Sequence, residues 1–116
     1  MGQRQKILCL CQGGNSRSVH LAYLLKYQYG ADALNCGWEG NSAATVKMLC
    51  AWAEIIIVVE EFMKPKVNEE FQHKVRVFDC GPDRFFQPNV ELLAIFDEMI
   101  QNNIRSVEGE SVDNKN

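Results

Sequence analysis

The chain has 116 residues, and its 12 lysines and arginines are outnumbered by 15 aspartates and glutamates, which gives a formal net charge of −3 at pH 7. This length fits one domain with its own core. The lack of a basic excess argues against nucleic acid as a partner. No apolar run approaches the length of a membrane span, so we also expect no membrane partner.

Cysteine usage and the first residues bear on the cellular setting. The five cysteines are odd in number and lack paired metal-ligand spacing, which argues against a disulfide framework or a zinc site. The polar stretch before the first apolar run is too short for a signal peptide. We therefore expect a reduced, cytoplasmic protein.

Apolar runs and helical spacings alternate along the chain. The most hydrophobic run, residues 55–59, holds five β-branched residues without polar alternation, which predicts a central strand covered on both faces. The four predicted strands are at 7–10, 33–36, 55–59 and 75–78. A helix at 19–29, with Gly30 as its C-cap, follows the first strand, and a helix capped by Asn41 or Ser42 follows the second. A short helix at 62–71 follows the third strand, and a last helix that begins at Pro88 follows the fourth.

Four alternations of strand and helix predict an α/β fold with a parallel sheet and right-handed crossovers. The expected layout is a three-layer, doubly wound, flavodoxin-like domain with strand order 2-1-3-4. Its ligand crevice would lie at the carboxyl end of the first strand, where the strand order switches. We expect residues 1–105 to form the domain and residues 106–116 to be a flexible polar tail.

The stretch between the first strand and the first helix, residues 11–18, reads Cys-Gln-Gly-Gly-Asn-Ser-Arg-Ser. Five residues separate Cys11 from Arg17, enough for a loop that curls around a tetrahedral oxyanion with its N–H groups pointing inward. The same positive field favours the thiolate form of Cys11, a nucleophile. Arg17 can bind two phosphate oxygens with its planar fork, and the Ser18 hydroxyl can stabilise the sulfur as it leaves. The loop residues expected to bind the phosphate are Gln12, Gly13, Gly14, Asn15 and Ser16. The alternative is an ordinary glycine-rich turn after a buried cysteine.

This loop resembles the phosphate-binding loop of the low-molecular-weight protein tyrosine phosphatases, which usually reads Cys-x-Gly-Asn-x-Cys-Arg-Ser. Cys11, Gly13, Arg17 and Ser18 match that pattern. Gly14 replaces the asparagine of the family and Ser16 replaces its second cysteine. The resemblance implies hydrolysis of phosphate monoesters through a phosphocysteine, without a metal or other cofactor. The implied substrate is a phosphotyrosine-containing protein or a small aryl phosphate.

Such a reaction also needs a group that protonates the leaving oxygen and later activates water. Two aspartates after the fourth predicted strand, Asp79 and Asp83, are candidates. Residues 83–86, Asp-Arg-Phe-Phe, resemble the Asp-Pro-Tyr-Tyr loop of the family, so we predict Asp83. Trp38 follows the second predicted strand and is expected either to stack on a substrate ring or to cover the sheet edge.

Three other functions fit the same loop. Arsenate reduction would need two further, closely spaced cysteines, and Cys80 has no partner within ten residues. A phosphocysteine carrier, like the sugar-transport IIB domains, generally lacks the arginine that stands here at Arg17. A phosphate-binding pseudophosphatase would require that neither aspartate reaches the pocket.

Overall fold

The computed structural model describes residues 4–13, 17–79 and 90–102, with only the backbone of residues 90–92. Its elements are β1 (Lys6–Cys11), α1 (Arg17–Tyr29), β2 (Asp32–Gly37), α2 (Ala43–Trp52), β3 (Ile55–Val58), two 3₁₀ helices (Glu61–Lys66 and Glu69–Lys74), β4 (Val75–Val77) and α3 (Val90–Ile100). Among the described residues, no helix is long and apolar enough to cross a bilayer. The predicted starting point of the last helix at Pro88 and the predicted tail lie outside the described residues.

Within these ranges, four parallel strands pair in the order β2-β1-β3-β4, which confirms the predicted flavodoxin-like layout. Helices flank the sheet: α1 packs against β1, β2 and α3, and α2 packs against β1. All four residues of β3 are buried, as the unbroken apolar run predicts. In register, Cys11 lies beside Gly37 of β2, and Leu10 lies beside Val58 of β3. The end of β1 is thus enclosed between two neighbouring strand ends.

The predicted caps of the first two helices are confirmed. Gly30 follows α1 with a φ of +72°, a left-handed conformation that glycine adopts without steric cost. Ser42 caps α2, and its hydroxyl accepts a hydrogen bond from the N–H of Thr45 at 3.1 Å. Of the two residues predicted as the N-cap of this helix, Asn41 and Ser42, the structure shows Ser42.

The single helix predicted for residues 62–71 is wrong. The structure has two 3₁₀ helices there, Glu61–Lys66 and Glu69–Lys74. Pro65 has no N–H to donate to the carbonyl four residues earlier, and its ring disfavours the α conformation for the residue before it. The chain instead makes tighter bonds three residues apart, such as that from the N–H of Val67 to the carbonyl of Lys64 at 3.1 Å.

The buried face predicted for this segment is nevertheless confirmed. Met63, Val67 and Phe71 are all buried in the core. Their spacing of four residues fits two successive 3₁₀ helices as well as it fits one α-helix. The apolar spacing alone therefore does not distinguish these two conformations.

The carboxyl end of α2 is held by Lys74. Its ammonium donates to the carbonyls of Cys50, Ala51 and Ala53 at 3.0, 3.3 and 2.6 Å. These carbonyls lack helical partners and carry the negative end of the helix dipole. We expect Lys74→Met to lower the free energy of unfolding by about 1–3 kcal/mol.

Urea denaturation of this variant tests that expectation. The control is Lys47→Met, an exposed lysine on α2, whose effect should stay within about 0.5 kcal/mol. Equal effects of the two substitutions would show that Lys74 does not stabilise the helix end.

Candidate active site

The site is built where β1 ends at Cys11 and α1 begins at Arg17. Cys11 lies at the carboxyl end of a central parallel strand, and doubly wound folds bind their ligands beyond the carboxyl ends of their strands. Cys11, Arg17 and Ser18 are almost fully buried, with at most 1% of each residue exposed. Gln12 is half-buried and Gly13 is exposed, whereas the predicted loop residues Gly14, Asn15 and Ser16 lie outside the described residues.

Cys11 and Ser18 are in direct contact. The Cys11 thiol donates a hydrogen bond to Ser18 Oγ at 3.1 Å. When the sulfur is ionised, the Ser18 hydroxyl can reverse its role and donate to the thiolate. The structure therefore brings these two predicted residues into direct contact.

Arg17 forms an ion pair with Glu60, through its Nη1 and the Glu60 Oε2 atom. Glu60 follows the buried end of β3, and its side chain is 20% exposed. A buried guanidinium is costly without an opposite charge, so this carboxylate stabilises it and fixes its orientation. This ion pair is made by Nη1 of a guanidinium that has five N–H donors in all. Glu60 directly follows the strand predicted at 55–59, but the sequence pattern alone gave it no role.

The segment after β2 runs beside the start of the loop. The N–H of Trp38 donates to the carbonyl of Cys11 at 3.1 Å, and the N–H of Glu39 donates to the carbonyl of Gln12 at 2.9 Å. These bonds continue the parallel pairing beyond the strands. The backbone of Trp38 is thereby held next to that of Cys11, and the residue is half-buried. Whether its ring stacks on a substrate or covers the sheet edge stays a prediction.

A cluster of side chains, here called the Lys66 cluster, lies beside this segment and consists of Gln12, Trp38, Glu39, Phe62 and Lys66. Lys66 Nζ lies 5.6 Å from the centroid of the Trp38 ring and 5.4 Å from that of Phe62. It also donates to Gln12 Oε1 at 3.5 Å, while Gln12 Nε2 donates to Glu39 Oε2 at 3.0 Å. The cluster therefore places a cation and two aromatic rings around the first loop residue. Sequence reasoning gave Lys66 no role.

The remaining described cysteines differ from Cys11 in their surroundings. Burial, and to a smaller extent the nearby Cys11, raises the pKa of Cys9 and that of Cys36. Burial and the nearby Cys36 raise the pKa of Cys50 to about 11, although Lys74 partly opposes this. These three thiols stay protonated near neutral pH, which fits the core roles expected for them.

Of the two candidate acids, only Asp79 belongs to the described residues. Asp79 is exposed and follows β4, which β3 separates from β1. Neighbouring strands lie about 4.8 Å apart, so β4, which precedes Asp79, lies about 10 Å from β1, which ends at Cys11. Asp83 lies outside the described residues, as do Phe85 and Phe86, which follow it in the sequence. The choice of Asp83 therefore stays a prediction.

Comparison with known proteins supports the fold. No protein-family model matches the sequence, and no curated protein matches it either. The structure is similar to the tyrosine phosphatase AmsI of Erwinia amylovora, with a TM-score of 0.69, 15% identity, and coverage of 90% of this chain and 94% of that one. It is similar to Vibrio vulnificus Wzb, solved with benzylphosphonate, with a TM-score of 0.66, 16% identity, and coverage of 86% and 97%.

A third similar structure is the arginine phosphatase YwlE of Geobacillus stearothermophilus, with a TM-score of 0.65 and 18% identity over 94% of this chain and 96% of that one. These similarities confirm the fold that the resemblance of the loop implied.

Proposed function

We propose that this protein is a phosphomonoester hydrolase of the low-molecular-weight tyrosine phosphatase type, which acts through a phosphocysteine on Cys11. The observation that carries the proposal is the hydrogen bond between Cys11 and Ser18, next to a buried Arg17 at the first turn of α1. In this proposal Cys11 is the nucleophile, Ser18 stabilises its sulfur and Arg17 binds two phosphate oxygens. The three residues lie at the carboxyl end of a central strand, where doubly wound folds bind ligands.

In the first step, the Cys11 thiolate attacks phosphorus, the S–P bond forms, and the P–O bond to the leaving group breaks. The leaving oxygen takes a proton from Asp83. In the second step, Asp83 removes a proton from water, the water oxygen attacks phosphorus, and the S–P bond breaks. Ser18 donates to the sulfur that departs, and Arg17 binds two equatorial oxygens in both steps.

The proposed substrates are aryl phosphates such as phosphotyrosine. The backbone N–H of Trp38 donates to the carbonyl of Cys11. We propose that the indole ring of this residue stacks on a phenyl ring of the ester. AmsI is described as a tyrosine phosphatase, and the Wzb structure contains benzylphosphonate, a phosphonate that carries a phenyl ring. Both facts support an aromatic ester.

Steady-state hydrolysis of para-nitrophenyl phosphate tests the reaction, and a phosphotyrosine peptide tests the substrate class. Because YwlE is an arginine phosphatase, a phosphoarginine peptide of the same sequence is the matched comparison. We expect release of phosphate from the phosphotyrosine peptide at the higher kcat/KM. A preference for phosphoarginine would change the substrate class. Stoichiometric phosphorylation of Cys11 without turnover would instead identify a carrier.

The general acid is tested by Asp83→Asn and Asp79→Asn. If Asp83 protonates the leaving group, Asp83→Asn should lower kcat by about 10²–10⁴ for a poor leaving group and by less for an acidic one. Asp79→Asn should have only a small effect. The opposite ranking would move the role to Asp79, and losses that do not depend on the leaving group would exclude both residues as the acid.

A further inference from the structure

The Lys66 cluster contains a cation that the proposed mechanism does not use. Lys66 belongs to the first 3₁₀ helix and is exposed, yet its ammonium is held between the faces of Trp38 and Phe62. Among the described residues, no carboxylate lies within ion-pair distance of it. In the part of the chain that the structure describes, this positive charge therefore lies beside the loop without a carboxylate partner.

Gln12 explains why the nearby Glu39 does not neutralise this charge. Its amide group accepts from Lys66 on one side and donates to Glu39 on the other. The carboxylate is thereby engaged by an N–H donor, and the ammonium faces a neutral oxygen. Cation–π contact with two rings leaves the lysine its full charge while it restricts the long side chain. Less side-chain entropy is then lost when an anion binds.

The position of the cluster relates this charge to the substrate. Gln12 follows Cys11 directly, and the backbone of Trp38 is bonded to that of Cys11. An aryl phosphate whose phosphorus lies at Cys11 would place its ring near Trp38. Groups attached to that ring would then lie near Lys66.

Resting on the proposed function, we propose that Lys66 is a specificity-determining residue that binds a carboxylate beside the phosphorylated side chain. The preferred substrate is a phosphotyrosine peptide with an acidic residue next to the phosphotyrosine. This ion pair would form at the exposed rim of the site, so the expected preference over a neutral peptide is about 1.5- to 5-fold in kcat/KM.

Two phosphotyrosine peptides test this, identical except for glutamate or glutamine next to the phosphotyrosine, with the change made on either side in turn. The measured quantity is the ratio of kcat/KM for the two peptides within each protein variant. Lys66→Met should bring the ratio to about 1, Lys66→Arg should preserve it, and Lys66→Glu should invert it. The matched control is Lys64→Met, an exposed lysine of the same 3₁₀ helix, which should leave the ratio as in the unmodified chain.

A ratio near 1 in the unmodified chain, or a ratio that survives in Lys66→Met, would overturn the proposal. Binding of the corresponding phosphonate peptides, which the protein cannot hydrolyse, separates this result from a failure of the proposed function. A binding preference for the acidic phosphonate peptide in a chain without turnover would support the role of Lys66 and exclude the hydrolase. Failure of both phosphonate peptides to bind would overturn the role of Lys66.

Discussion

Replacement of Cys11 by serine is expected to lower kcat for para-nitrophenyl phosphate by more than about 10⁴-fold, because the hydroxyl is a far weaker nucleophile near neutral pH. Phosphate should still bind, since Arg17 and the loop backbone are unchanged. The serine oxygen can also keep a hydrogen bond to Ser18, so the local packing has a conservative replacement. Turnover and the phosphate dissociation constant, measured on the same preparation, check both parts of the expectation.

Cys36→Ala is the matched control for this variant. Cys36 is buried at the end of the adjacent strand, β2, and burial raises its pKa, so its loss should change kcat only slightly. Steady-state turnover by a pure Cys11→Ser protein would remove Cys11 from the role of nucleophile. A large loss of turnover in Cys36→Ala, with intact phosphate binding, would show that the Cys36 thiol also takes part in the reaction.

The sheet could be predicted from the sequence because its strands are buried on both faces. An unbroken β-branched run such as residues 55–59 has few alternatives to a central strand. The alternation of such runs with helical spacings then restricts the strand order to a few layouts. The place of Cys11 at the carboxyl end of a central strand follows from that order. The motif also suggested that the Ser18 hydroxyl reaches the sulfur, and the structure shows the two residues in contact.

Glu60 and Lys66 could not be given roles in the same way. Glu60 is 43 residues away from Arg17 in sequence, and the two meet only because β3 pairs with β1. An acidic residue after a strand is common, and only the strand order shows which one faces the loop. Lys66 reaches Gln12 because its segment forms a 3₁₀ helix after β3, a conformation that the apolar spacing did not distinguish from an α-helix.

The ion pair between Arg17 and Glu60 leads to the last prediction. Arg17→Lys keeps the positive charge, and the lysine can still pair with Glu60, so the fold should be retained. An ammonium is a point donor and cannot bind two equatorial oxygens of the phosphoryl group at once. We expect kcat to fall by about 10³–10⁵, the range found when an arginine that stabilises a transferring phosphoryl group is lost.

Glu60→Gln is the companion variant, since it keeps an oxygen that accepts from Arg17 but removes the negative charge. If Glu60 only orients the guanidinium, kcat should fall by less than about 10-fold. Kinetics on para-nitrophenyl phosphate and urea denaturation of both variants separate catalysis from stability. Unchanged kcat and KM in Arg17→Lys would contradict the phosphate-binding role of Arg17. A Glu60→Gln protein as impaired as Arg17→Lys, at unchanged stability, would mean that the carboxylate charge itself takes part in the reaction, since the hydrogen bond that orients the arginine is still available.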